Sequence, residues 1–125
     1  MAAQSITFAT FRTVEQEGAG PGQPVTLDND PVTFTFRLDS IVSPDGVLFY
    51  MIDTRDGDRT YRVTVNSEFA SQIALVPGEH FFATLNNRVA NLKEDNTLVF
   101  EPAGGSAPVD ILNIVVLYSR TVNVG

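Results

Sequence analysis

The segment Val32-Thr-Phe-Thr-Phe-Arg-Leu-Asp39 decides the fold class, because apolar and polar residues alternate through it without a break. Successive side chains of a β-strand point to opposite faces. The segment therefore predicts a strand with one buried face and one solvated face. The same alternation returns over residues 60–66, where Tyr61, Val63 and Val65 are the apolar set.

Residues 47–54, between these two strands, read Val-Leu-Phe-Tyr-Met-Ile-Asp-Thr and are almost continuously apolar. Such a run predicts a central strand. Pro44-Asp45-Gly46 precedes it and Asp56-Gly57 follows it, and both sequences are typical of tight turns. We therefore expect three consecutive antiparallel strands over residues 32–66, joined by two short turns.

The rest of the chain has the same character. Strands are predicted over residues 6–14, 25–27, 79–86, 88–92, 97–101 and 109–122, with turns at 86–87 and 94–96. Eight or nine strands at this spacing favour an all-β fold, an antiparallel β-sandwich that forms a single domain over residues 1–125. The exception is a short helix near 67–75, which Ser67 could cap and Pro77 would end.

Some predicted strands have apolar residues on both faces. Phe49 and Tyr50 are adjacent and must point to opposite sides of their strand, and residues 111–117 repeat this pattern. One face packs against the second sheet. The other face then needs a loop, a helix or another subunit to cover it, which makes a homo-oligomer one hypothesis.

The composition of the chain excludes several kinds of site and partner. The chain has 125 residues, no cysteine and a net charge of -7. The missing cysteines exclude disulfides, zinc–thiolate sites and cysteine nucleophiles. The negative charge repels phosphate groups, so we expect neither nucleic acid nor an anionic membrane as a partner. We also expect no signal peptide and no transmembrane segment, because no suitable apolar stretch is present.

The best candidate site surrounds the predicted turn after residue 54. Asp53, Asp56 and Asp58 lie there with Arg55 and Arg59. Several carboxylates in one loop suit a polar ligand or a calcium ion, although the spacing of an EF-hand is absent. The alternative interpretation is a solvated turn whose charges pair with each other.

Other candidates have weaker patterns. Asp28-Asn29-Asp30 is a second acidic loop that reads first as a turn before Pro31. His80 is the only histidine, and no nucleophile motif accompanies it. Fifteen acids allow many carboxylate pairs for glycoside hydrolysis, yet nothing selects one pair. The sequence predicts no catalytic site and no obligatory cofactor, with calcium as the ion that an acidic loop would take.

Residues 82–89, 91–100 and 109–118 resemble the C-terminal half of jelly-roll modules of the galactose-binding-like and carbohydrate-binding type. The shared order is a strand, an Asn turn, a short strand, the sequence Asn96-Thr-Leu-Val-Phe100 and a long last strand. Asn87 stands where such modules usually have glycine, and the chain has no tryptophan for a sugar platform.

The resemblance implies a jelly-roll fold and a non-catalytic, lectin-like module that recognises a carbohydrate or another polar ligand through its end loops. The alternative is a structural subunit of a homo-oligomer or particle, which the two-faced apolar strands favour.

Overall fold

The computed structural model describes residues 4–14, 24–54, 59–75, 82–105 and 107–124. Nine strands form two sheets in these residues, which contain no helix. The strands are β1 (Gln4–Val14), β2 (Val25–Leu27), β3 (Val32–Arg37), β4 (Ile41–Thr54), β5 (Arg59–Val65), β6 (Glu68–Leu75), β7 (Phe82–Val89), β8 (Asp95–Gly105) and β9 (Val109–Val124). The predicted all-β sandwich is confirmed. In these ranges no helix has the length and apolar character needed to cross a membrane.

The larger sheet has five strands in the order β1-β9-β4-β7, with short β2 also paired to β9. The smaller sheet has the order β3-β8-β5-β6. All of the strand pairs are antiparallel. Strand β9 pairs with β1 and β2 along one edge and with β4 along the other, which confirms the predicted long last strand at the centre of a sheet.

The core lies between the sheets and follows from the alternation in each strand. In β3 every second residue from Val32 to Phe36 is buried, and the residues between them are exposed. The centre is aromatic: the rings of Tyr50 and Phe100 lie 5.1 Å apart, edge to face. The hydroxyls of Tyr50 and Tyr61 are 2.9 Å apart, so each buried phenol has a hydrogen-bond partner.

The predicted meander of three strands over residues 32–66 is wrong. Strand β3 pairs with β8, β4 pairs with β7 and β9, and β5 pairs with β6 and β8. The chain therefore changes sheet at each step, and β4 and β5 form no hairpin around Asp56-Gly57, a pair outside the described residues. Turn residues end a strand but do not choose its partner. A middle position in the larger sheet gives the apolar run of β4 a hydrogen-bonded neighbour along each edge.

The predicted turn at Pro44-Asp45-Gly46 is also wrong, because β4 continues through it from Ile41 to Thr54. The pairing with β9 shifts register between Ile41 and Gly46, so the segment is an irregularity inside a strand. A Cβ atom at Gly46 would lie 2.5 Å from the carbonyl oxygen of Leu117 and 2.5 Å from Cδ1 of Leu92. Gly46 is needed for this close approach of β4 to β9.

The short helix expected near 67–75 is absent, since Glu68–Leu75 forms strand β6. Asn66 and Ser67 have φ values of 51° and 68°. Two consecutive residues with positive φ are typical of a tight hairpin turn, and β5 and β6 are paired directly on either side of it. Ser67 is therefore a turn residue rather than a helix cap.

The predicted turn at Asn86-Asn87 is absent as well, because both residues lie within β7. Asn87 Nδ2 donates a hydrogen bond to Ser71 Oγ at 3.0 Å. The break expected near 94–96 is present before β8, where Asn96 Oδ1 accepts from the backbone N–H of Lys93 at 2.9 Å. Asparagine is common both in turns and in buried polar networks, so its type alone did not distinguish the two.

We predict that Gly46→Ala destabilises the protein by about 1–3 kcal/mol, because the new methyl group overlaps the carbonyl of Leu117. Gly104→Ala is the matched control, since its Cβ would lie 3.7 Å from Cβ of Thr60, an ordinary contact. Urea unfolding of both variants measures the difference. Equal stability of the two variants would contradict the close approach at Gly46.

We also predict a loss of stability in alkali. Burial raises the pKa of Tyr50 to about 12 and raises the pKa of Tyr61 further. A tyrosine that ionises at about pH 10 in the unfolded chain favours that state once the pH exceeds 10. The contribution of Tyr50 is therefore complete below pH 10, and about 2 kcal/mol is lost by pH 12.

Urea midpoints from pH 9 to 12, with absorbance at 295 nm as the probe of ionisation, measure this loss. The double variant Tyr50→Phe/Tyr61→Phe removes both hydroxyls and is expected to flatten the dependence. Full ionisation of both tyrosines before any unfolding would contradict their burial.

Candidate functional site

Of the five residues predicted to bind a ligand, the structure describes only Asp53 and Arg59. Asp53 lies near the end of β4 and Arg59 begins β5. Arg55, Asp56 and Asp58 lie outside the described residues. His80, the other polar candidate of the sequence, lies outside them as well.

Arg59 is buried, with 2% of its surface exposed. Its Nε donates a hydrogen bond to the carbonyl oxygen of Ala107 at 2.7 Å. Its Nη2 lies 3.8 Å from Oδ1 of Asp28, whose side chain is mostly exposed. Arg59 therefore ties the start of β5 to the segment before β9, and it brings the second acidic loop, residues 28–30, to the same end of the molecule.

A row of polar side chains crosses the larger sheet at this end. Asp53 of β4 is paired with Asp110 of β9, and Asp110 is paired with Thr26 of β2. Thr26 Oγ1 donates a hydrogen bond to Asp110 Oδ1 at 2.6 Å. Asp110 is buried, and sequence reasoning missed it, although a single acid in an otherwise apolar strand was a usable signal.

The described residues contain no group of three or more His, Cys, Asp or Glu side chains placed to hold a metal ion.

The face of the larger sheet that points away from the core is apolar near its middle. Phe11, Leu117 and Val47 form one row across β1, β9 and β4, and Val115 and Phe49 belong to the next row. We call this set, completed by Met51 and Leu112, the outer apolar face. Phe11 is 64% exposed, and its ring centroid lies 6.3 Å from that of Phe49. The other members of the face are half-buried. Contiguous apolar surface that stays partly open to solvent is typical of interaction sites.

A groove of about 370 Å³ adjoins this face. It is lined by Asp45, Gly46, Val47, Arg88, Val89 and Ala90. Arg88 of β7 is exposed and is paired with Val47 of β4. It therefore extends the row of Phe11, Leu117 and Val47 by one strand and places a guanidinium group at its end. We call this feature the Arg88 groove. Within the described ranges no carboxylate lies within ion-pair distance of Arg88, which leaves its donors available to a ligand.

A second groove, of about 400 Å³, is also polar but is already occupied by internal ion pairs. It contains Arg37, which lies 3.0 Å from Asp39, 3.6 Å from Glu94 and 3.3 Å from Asp95. The hydrogen bond with Asp39, and then the charges of Glu94 and Asp95, raise the pKa of Arg37. Its bonding capacity is largely used by these carboxylates.

No protein-family model matches the chain, and no curated protein matches its sequence. Solved structures do share its fold. The dimeric latent PorU from Porphyromonas gingivalis matches 91% of this chain with a TM-score of 0.66 and 14% identity. A cycloalternan-forming enzyme from Listeria monocytogenes, bound to a pentasaccharide substrate, matches 94% with a TM-score of 0.58 and 21% identity. The chain spans only 13% and 12% of those two proteins.

A family 35 carbohydrate-binding module from Clostridium thermocellum matches over almost its whole length. The likeness covers 91% of this chain and 98% of that module, with a TM-score of 0.52 and 12% identity. At this identity the likeness concerns the fold. The resemblance to jelly-roll modules of the carbohydrate-binding type is therefore confirmed for the architecture of nearly the whole chain, beyond the C-terminal half on which the sequence pattern rests.

We predict that Arg59→Met destabilises the protein by about 1–3 kcal/mol, because the buried carbonyl of Ala107 loses its donor while side-chain volume is preserved. Asp28→Asn is the control, because Asp28 is exposed and its ion pair with Arg59 is long. Thermal unfolding compares the two variants. A loss for Asp28→Asn as large as that for Arg59→Met would contradict the role given to the hydrogen bond.

Proposed function

We propose that this protein is a non-catalytic carbohydrate-binding module that spans residues 1–125. The proposal rests first on the likeness to the family 35 carbohydrate-binding module, which covers almost the whole of both chains. In the longer enzyme that holds a pentasaccharide, the same fold is a small part of the chain.

The observation that carries the proposal for this chain is the pair of exposed Phe11 and half-buried Phe49 in line with the Arg88 groove. A pyranose ring has an apolar C–H face, which packs on aromatic rings, and hydroxyl groups that need donors and acceptors at its edge. Phenylalanine rings supply the platform. Arg88 and Asp45 supply the donors and acceptors at the end of the same row.

The end loop predicted from the sequence is a separate location for the same function. Asp53 and Gly46 are seven residues apart in β4, a distance of roughly 24 Å along an extended strand. One sugar ring therefore cannot contact both places. A ligand at the end loop would be held by Asp53, Arg55, Asp56, Asp58 and Arg59, with calcium as the candidate ion. Because Arg59 is buried and bound to Ala107, we place the glycan at the Arg88 groove.

We predict that Arg88→Ala weakens glycan binding by roughly 10-fold or more, because a hydrogen bond to a charged group contributes about 1.5–3 kcal/mol. Phe11→Ala is expected to weaken binding through loss of the platform. Arg37→Ala is the matched control, since this exposed arginine lines the other groove and is engaged by carboxylates. A glycan array identifies a ligand, and isothermal titration calorimetry then measures each variant, with and without a chelator.

Two results would contradict parts of the proposal. No saturable binding to any glycan, with or without calcium, would contradict the function itself. Binding that survives Arg88→Ala but is lost in Asp53→Asn or with a chelator would retain the function and move the site to the end loop.

A further inference from the structure

Strand β1 lies at the edge of the larger sheet. Among the described residues it pairs only with β9, so its other edge presents backbone N–H and C=O groups without a strand partner. Its register with β9 is continuous over all eleven residues, with no bulge. A long, regular strand edge is a template for pairing with another strand.

The side chains of β1 do not protect this edge. Edge strands are usually guarded by charges, prolines, bulges or short length. Strand β1 contains no proline, no glycine and one charged residue, Arg12. Ile6, Phe8 and Phe11 are 50%, 38% and 64% exposed, and they are three of the five exposed large apolar residues in the described part of the chain.

The other described edges carry the usual protection. Strand β3 has six residues, follows Pro31 and ends on Arg37, which is surrounded by carboxylates. Strand β6 begins with Glu68, and its pairing with β5 is interrupted by a register shift. Strand β7 is tied to the other sheet, because Asn87 Nδ2 donates a hydrogen bond to Ser71 Oγ of β6. Only β1 combines length, regularity and exposed apolar side chains in these ranges.

We propose that a second copy of this chain pairs along β1, with the two β1 strands antiparallel about a twofold axis. The two five-stranded sheets then form one continuous sheet across the interface. Each added strand satisfies backbone groups on both copies, and the apolar side chains of β1 become less exposed because they contact those of the partner strand.

Charge favours a second copy as the occupant. The chain carries a net charge of -7, so two copies repel each other over most of their surfaces. Strand β1 has no acidic residue, and it is therefore a place where this repulsion is weak. A basic partner protein would be attracted to acidic side chains, and β1 offers none.

The sequence of β1 also suits twofold pairing. When the twofold axis passes through Phe8, Phe8 of one copy lies opposite Phe8 of the other. Ile6 then lies opposite the second copy's Thr10, and Phe11 lies opposite its Ser5. Arg12 then faces Gln4, so no like charges oppose each other across the ladder. Phe8 is held in place within its own chain, because Arg120 lies over its ring at 6.0 Å.

We predict self-association of the purified chain, and Ile6→Lys tests it. A lysine at the edge adds two charges to each dimer, so the dissociation constant is expected to rise at least about tenfold. Val42→Lys is the matched control, because Val42 is 51% exposed against 50% for Ile6 but lies on β4. Sedimentation velocity over a concentration series, in the absence of glycan, measures both variants.

Cysteine substitutions locate the axis, since the natural chain has no cysteine. Directly opposed residues of antiparallel strands have Cα atoms about 4.5–5.5 Å apart, within the range of a disulfide. With the axis at Phe8, Phe8→Cys is expected to give a disulfide dimer under mild oxidation, whereas Ile6→Cys and Thr10→Cys are not, because each of these two residues lies opposite the other across the axis. Phe69→Cys, 57% exposed but on β6, is expected to form no disulfide crosslink.

A strict monomer at the highest soluble concentration would overturn the proposal. So would a dimer that Ile6→Lys and Val42→Lys weaken equally, or one that crosslinks through Phe69→Cys as well as through β1. Circular dichroism of each variant establishes that it folds. Because these measurements involve no sugar, their outcome does not depend on whether the protein binds carbohydrate.

Discussion

The apolar character of β9 on both of its faces is the constraint on which the rest of the structure depends. Ile111, Val116 and Tyr118 point into the core, while Leu112, Val115 and Leu117 form part of the outer apolar face. Strands β1 and β2 pair with it along one edge and β4 along the other, so both of its apolar faces continue onto neighbouring strands. The outer apolar face and the free edge of β1 are both consequences of arranging strands around β9.

Alternating and continuously apolar segments predicted the strands well, because such patterns indicate which face of a strand is buried. They placed β5 and β9 close to their observed bounds and correctly made β9 central, but the strand expected over residues 32–42 ends at Arg37. They did not predict pairing. Asp56-Gly57 looked like a hairpin turn, yet β4 and β5 lie in different sheets. The choice of partner depends on which strands can bury each other, and that information is spread over the whole chain.

The sequence likewise predicted some residues of the candidate site and missed others. Acidic residues close in sequence, such as Asp53 and Asp56, were visible as a cluster. Asp110 and Arg88 were not, because they reach their neighbours through pairing between strands distant in sequence. The pair Phe11 and Phe49 was likewise hidden, since strand β9 stands between their strands. A surface built across several strands leaves no contiguous motif.

The pairing of β1 with β9 also affects how the molecule assembles during synthesis. Gln4 is paired with Val124 and Val14 with Ile114, so β1 leaves the ribosome well before its partner β9. Contacts between residues so distant in sequence form slowly, because a long loop must close before they are gained. Until β9 emerges, β1 has two open edges instead of one. The nascent chain is therefore most vulnerable to mispairing, and most in need of a chaperone, until β9 emerges.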